Sequence, residues 1–167
     1  MRSSFLTTSP DAIAANDLSF YAFEGIKAVG NRRNLHITST RFDEPRCLDL
    51  VRASPQAISI HGENSDGQVV YLGGRAVVTL GRIRESLRAR GFRFETHESP
   101  HLQGLDRANI CNQTSNGAGV QLELSNGLRR SFFESLSKSG RNSQAERFHR
   151  FVVAVREALA ESELSGS

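Results

Sequence analysis

Two polar residues stand where apolar ones are expected. His61 closes the run Ala57–Gly62, AISIHG, and Glu123 lies inside Gly119–Ser125, GVQLELS. Both runs are short and apolar, the composition of a buried strand. A polar group in such a run costs free energy unless it has a partner or a task. An imidazole and a carboxylate at the mouth of one sheet can do chemistry together. Imidazole ligates zinc, and a carboxylate beside an activated water serves as general base. The plainer alternative is a hydrogen-bonded strand-end histidine and a solvent-facing glutamate on an alternating strand. The two residues alone leave both open.

Other chemistry-bearing patterns are weaker. His97-Glu98-Ser99-Pro100-His101 matches the H-E-x-x-H zinc signature letter for letter. That signature needs a helix to bring both histidines onto one face. Pro100 removes a backbone donor and disfavours helical geometry at Ser99, so the stretch is read as loop. Cys47 and Cys111 are single thiols, and no neighbouring group in the sequence lowers the pKa of Cys111. Gly73-Gly74-Arg75 is too short for a phosphate loop and lacks its lysine.

The elements that must position these residues alternate between strand and helix. Ser9-Pro10-Asp11 opens a short helix to about Ala15. Leu18–Phe23 and Leu35–Ser39 are strand candidates, separated by a basic turn at Gly30–Arg33. Asp43 is the expected cap of a helix to Ala53. Val69–Leu72 is a strand, Arg75–Arg90 has helical apolar spacing, and Phe92–Phe94 is extended again. Residues 97–117 are polar and read as a long loop, which in a compact domain is functional or disordered. Leu128–Leu136 is a short helix. Gln144–Leu159 is the clearest one, ahead of a frayed tail at 161–167. This alternation predicts a single α/β domain over 1–167 with a largely parallel or mixed sheet.

At 167 residues, 38% hydrophobic and 23% charged, the chain suits one globular domain. It has no apolar run of ~20 residues to span a membrane and no convincing secretory signal. With only two cysteines, a cytoplasmic location is expected. The net charge of +3 and pI near 9.3 rest almost wholly on scattered arginines, Lys27 and Lys138 being the only lysines. Without a basic run or interleaved aromatics, nucleic acid is not the expected partner. An arginine-lined groove for a carboxylate-rich ligand is the alternative to a solvated surface, because guanidinium binds carboxylate bidentately.

The motifs FYAFEG, NLHITSTRFDEP, AISIHG, VYLGGRA, NICN and GAGVQLELSNGLR, in that order, resemble the poly-γ-glutamate hydrolase family over roughly residues 8–160. Some members of that family are labelled phage-related replication proteins. The resemblance implies a zinc carboxypeptidase-like, three-layer α/β/α fold with a mixed central sheet. It also implies one catalytic zinc and hydrolysis of γ-glutamyl amide bonds in poly-γ-glutamate or a similar polyanion. Carried over by residue, His61 corresponds to a zinc ligand and Glu123 to the general base. Arg75, Asn112 and Arg129 are candidates for substrate binding.

The family's other two ligands, a histidine and a glutamate, lie in a His-Gly-Gly-x-Ile-Glu segment ahead of a Thr-Ser and a helix. Thr8-Ser9 and Asp11–Ala15 resemble that Thr-Ser and helix, which places the glutamate near Phe5 and the histidine ahead of Met1. The chain is therefore expected to lack the family's N-terminal strand and to bind zinc weakly or not at all. His36 is a substitute-ligand candidate. The alternative function is a non-catalytic remnant that binds anionic polymers or nucleic acid.

Overall fold

The computed structural model describes residues 9–15, 18–22, 37–137 and 140–164. Among the described residues, four strands form one mixed sheet: β1 (Ile58–Gly62), β2 (Val69–Gly74), β3 (Arg93–Glu95) and β4 (Val120–Leu124), in the order β1-β4-β2-β3. β4 runs parallel to β1 and antiparallel to β2, and β2 runs parallel to β3. The helices among the described residues are α1 (Ser9–Ala14), α2 (Pro45–Ala53), α3 (Val77–Ala89), α4 (Asn126–Arg130) and α5 (Glu146–Leu164). None of the helices is long and apolar enough to cross a membrane among the described residues.

Alternation along the strands gives the sheet two unlike faces. Val70, Leu72, Val120, Leu122 and Leu124 point one way and are buried in a core with Ile83 and Leu87 of α3 and Phe148, Phe151 and Val155 of α5. Phe132 and Phe133, just past α4, join that core through ring contacts with Phe92, Phe148 and Phe151. α1 packs on α5, where the Arg156 guanidinium donates to the Ile13 carbonyl at 2.6 Å. The opposite face carries Ser59, His61, Gln121, Glu123 and Tyr71. It is covered by the segment between β3 and β4 and, beyond its 110–112 turn, by α2.

That segment, expected as a long loop, contains two 3₁₀ turns, Pro100–Leu102 and Ile110–Asn112, and buries residues Asn109 to Asn112. Two glycines let it lie directly on the sheet. A side chain at Gly73 would place its Cβ 2.2 Å from the Gln103 carbonyl oxygen, and one at Gly119 1.8 Å from that of Cys111. The H-E-x-x-H letters fall here, in irregular backbone and one 3₁₀ turn, as Pro100 predicts.

Several boundaries differ from expectation. Glu44, not Asp43, caps α2, its carboxylate accepting from the Cys47 N–H at 2.9 Å, with Pro45 at the first helical position. Ser125 caps α4, which begins at Asn126 and ends at Arg130, earlier than the predicted 128–136. α5 continues to Leu164. Residues 18–22 are not in a strand, and Ser39, the expected end of the second extended run, opens a 3₁₀ turn to Arg41. The apolar residues at 18–22 suit a strand, but no sheet partner fixes them among the described residues. The expectations at Phe5, Thr8, Phe23, 30–33, Leu35, His36 and 165–167 lie outside the described residues.

Candidate active site

One row of the sheet collects the chemistry. His61 of β1 is the ladder partner of Glu123 of β4, Glu123 is the partner of Tyr71 of β2, and Tyr71 is the partner of Glu95 of β3. Ladder partners share a face, so imidazole, carboxyl and phenol emerge side by side, each about 5 Å from the next along the row.

Glu123 is 4% exposed. Gln121, two residues earlier on the same face, donates from Nε2 to Glu123 Oε1 at 3.0 Å, and from the same nitrogen to the Leu102 carbonyl at 3.2 Å. Asn109 in turn donates to Gln121 Oε1 at 2.8 Å. The carboxyl is thus oriented through two amides anchored in the covering segment. Burial pushes its pKa up to about 7. The Gln121 hydrogen bond opposes the rise, the Glu63 charge adds to it and the Arg129 charge opposes it. A carboxyl poised near neutrality can take and return a proton at neutral pH.

Around this row lies a second cluster. Glu63 follows β1, and its carboxylate accepts from the Ser65 N–H at 2.8 and 2.9 Å and from the Ser65 hydroxyl. Burial works to raise its pKa, but the Ser65 hydroxyl and backbone, the Asn64 N–H and the nearby His97 together hold it below the usual value. Ser65 Oγ also lies 3.2 Å from Tyr71 Oη. The His97 ring packs edge-on against Tyr71, with centroids 4.6 Å apart.

The remaining expected site residues are placed less directly. Arg129 is buried and donates from Nε to the Leu124 carbonyl at 3.1 Å and from an Nη to the Glu63 carbonyl at 2.8 Å. Its guanidinium carbon lies 3.0 Å from where a Cβ on Gly62 would stand, on the helix side of the sheet. The group that Gly62 admits is therefore this arginine. Arg129 clamps the ends of β1 and β4. Asn112 is saturated as well. Its amide nitrogen donates to the Gly104 and Asp106 carbonyls at 2.7 and 2.8 Å, and its oxygen accepts from the Gly119 N–H at 3.0 Å. No amide hydrogen is left for a substrate. Arg75 follows β2 at the far end of the sheet, four residues and ~13 Å along the strand from Tyr71. There it donates to the Leu105 carbonyl at 3.4 Å.

The thiols are not nucleophile candidates: both are buried, and burial raises Cys47 and pushes Cys111 up to about 11. Among the described residues, no group of three or more His, Cys, Asp or Glu converges to hold a metal ion. His61 and Glu123 alone do not complete a zinc site.

Known proteins resemble this chain in sequence and fold. A family model for poly-γ-glutamate hydrolase matches residues 6–154. The chain belongs to the poly-γ-glutamate hydrolase family. Among curated relatives of the family, YndL of Bacillus subtilis strain 168 is 38% identical over 144 residues, covering 84% of this chain and 56% of that protein. The SPβ prophage-derived YoqZ of the same strain is 36% identical over 146 residues, covering 86% and 53%. The chain thus spans about half the length of these relatives. A bacteriophage poly-γ-glutamate hydrolase structure aligns with a TM-score of 0.76 at 34% identity, covering 81% of this chain and 66% of that one. A zinc-free apo structure of YndL aligns at 0.81 and 36% identity, covering 91% and 77%. The mixed-sheet α/β architecture expected from the sequence is that of this hydrolase family.

Tyr71, Gln121, Asn109 and Glu63 are not among the residues that the sequence alone points to, and the sequence offers His97 only as part of a zinc signature that Pro100 disfavours. Gln121 had a signal: it is the second polar residue on the Glu123 face of one alternating strand. The others are joined only by the fold.

Proposed function

We propose that the chain carries out hydrolysis of γ-glutamyl amide bonds in poly-γ-glutamate, with Glu123 as the general base and acid. The observation that supports this most is the buried Glu123 carboxyl, held near neutrality directly beside His61. In this reading Glu123 takes a proton from the water that attacks the γ-carbonyl carbon. It then delivers that proton to the amide nitrogen as the C–N bond breaks. The products are a new γ-carboxylate and a new α-amino group. Gln121 and Asn109 hold the carboxyl in place through both transfers.

Zinc is part of this reading as the family's metal, with His61 as one ligand; the zinc-free description of the YndL structure supports it. The described residues supply no complete ligand set, so the proton transfers are assigned to Glu123 alone. The two free, buried cysteines fit a reducing compartment.

The test is linkage-specific. New amino groups released from poly-γ-glutamate, and none from α-linked polyglutamate, are expected. Retention of the polymer without cleavage would instead favour a binding-only protein, and binding of DNA with a steep salt dependence would favour a nucleic-acid role.

A further inference from the structure

His97 is fixed on every side except one. Its Nδ1 accepts from the Ser99 N–H at 2.9 Å, which commits the neutral ring to the tautomer with its proton on Nε2. Its carbonyl accepts from Gln103 Nε2 at 2.8 Å, tying the residue into the segment that covers the sheet. Its ring rests on Tyr71, the ladder partner of Glu123, at 4.6 Å and an interplanar angle of 64°. The described residues form no hydrogen bond with its Nε2–H, although the Glu63 charge lies close enough to act on the ring. A donor whose tautomer, backbone and ring plane are all set, one side chain away from the Glu123 row, is preorganised for an acceptor from outside the chain.

The chemistry of a γ-linked glutamate polymer identifies that acceptor. Each repeat carries a free α-carboxylate on the carbon next to the amide nitrogen, which is the atom that leaves with the Glu123 proton. A group that reads this carboxylate must stand beside Glu123 without being part of the proton transfer. The Glu63 carboxylate in the same cluster accepts from the Ser65 N–H and hydroxyl and acts on the His97 ring through its charge, with no hydrogen bond between the two side chains.

We infer that His97 is a specificity-determining residue whose Nε2–H binds the substrate's α-carboxylate on the leaving side of the scissile amide. This rests on the γ-glutamyl reading of the site. It is tested by binding in Glu123→Gln protein, so that cleavage is not needed. The ligands are a γ-linked glutamate oligomer and the same oligomer with its α-carboxylates converted to carboxamides, titrated calorimetrically.

His97→Ala is expected to weaken the free-acid oligomer about 10-fold or more, the usual loss for a hydrogen bond to a charged group, and the carboxamide oligomer by less than about 2-fold. His97→Gln, which can place an N–H near Nε2, should restore most of the affinity. Equal weakening of both oligomers, no effect of His97→Ala, or no binding of the free-acid oligomer would each overturn the inference. Failure of the wild-type chain to cleave γ-linkages, with His97-dependent binding intact, would sink the hydrolase reading and leave this one standing.

Discussion

Gln121 donates to Glu123 from two residues away on the same strand face, Nε2 to Oε1 at 3.0 Å. That bond orients the carboxyl and partly offsets its burial, so it favours the ionised form. Gln121→Leu keeps a similar side-chain size and removes the donor. The Glu123 pKa should then rise above its present value of about 7, and kcat/KM at pH 7 should fall about 10-fold. Carboxyl-carbon NMR of labelled protein reads the first effect directly. An unchanged Glu123 titration would show that the amide does not act on the carboxyl.

The same buried carboxyl makes stability fall with pH. Its folded pKa is raised from 4.5 to about 7, so between those values the folded chain holds a proton that the unfolded chain has released. Stability contributed by this group is therefore full below pH 4.5 and is lost as pH rises to about 7. In metal-free protein, Glu123→Gln should match wild type near pH 4 and be more stable at pH 8, by up to about 3 kcal/mol. Urea denaturation at both pH values measures the difference. A constant difference across this range would contradict the assignment.

Gly73 and Gly81 predict opposite outcomes for the same substitution. A Cβ on Gly73 would meet the Gln103 carbonyl oxygen at 2.2 Å, whereas one on Gly81 in α3 meets nothing within 4 Å. Gly73→Ala should lift the covering segment, cost about 2 kcal/mol and reduce activity. Gly81→Ala should stabilise by about 0.5–1 kcal/mol through helix propensity alone. Thermal melts of the two variants separate the effects.

Arg129 ties β1 to β4 by donating to the Leu124 and Glu63 carbonyls from a buried position. Arg129→Met should remove the side-chain donor of the Glu63 carbonyl, leave the Leu124 carbonyl with the Glu63 N–H alone, and cost about 2–4 kcal/mol. Denaturant midpoints report the cost. A loss of substrate affinity at unchanged stability would instead return Arg129 to a substrate-binding role.

The strands and the His61–Glu123 pair were legible because alternation and apolar runs are local signals. The relation between the pair, ladder partners rather than merely two strand residues, needed the register, which no sequence window contains. Arg129 and Asn112 invite a reading as substrate contacts because polar side chains in recognisable motifs are the only local signal they give. Their backbone carbonyl partners, Leu124, Glu63, Gly104 and Asp106, become visible only in the fold. His97 shows the converse. Pro100 correctly excluded the helical zinc signature, yet the tertiary packing on Tyr71 brought the same histidine to the edge of the site.

The role of Glu123 is tested most directly by the pH dependence of kcat/KM for cleavage of a γ-linked glutamate oligomer. Wild-type chain should show an acidic limb with an apparent pKa near 7, and Glu123→Gln should lose 10²–10⁴-fold at the optimum and abolish that limb. An acidic limb that persists in Glu123→Gln at comparable activity would contradict Glu123 as the base.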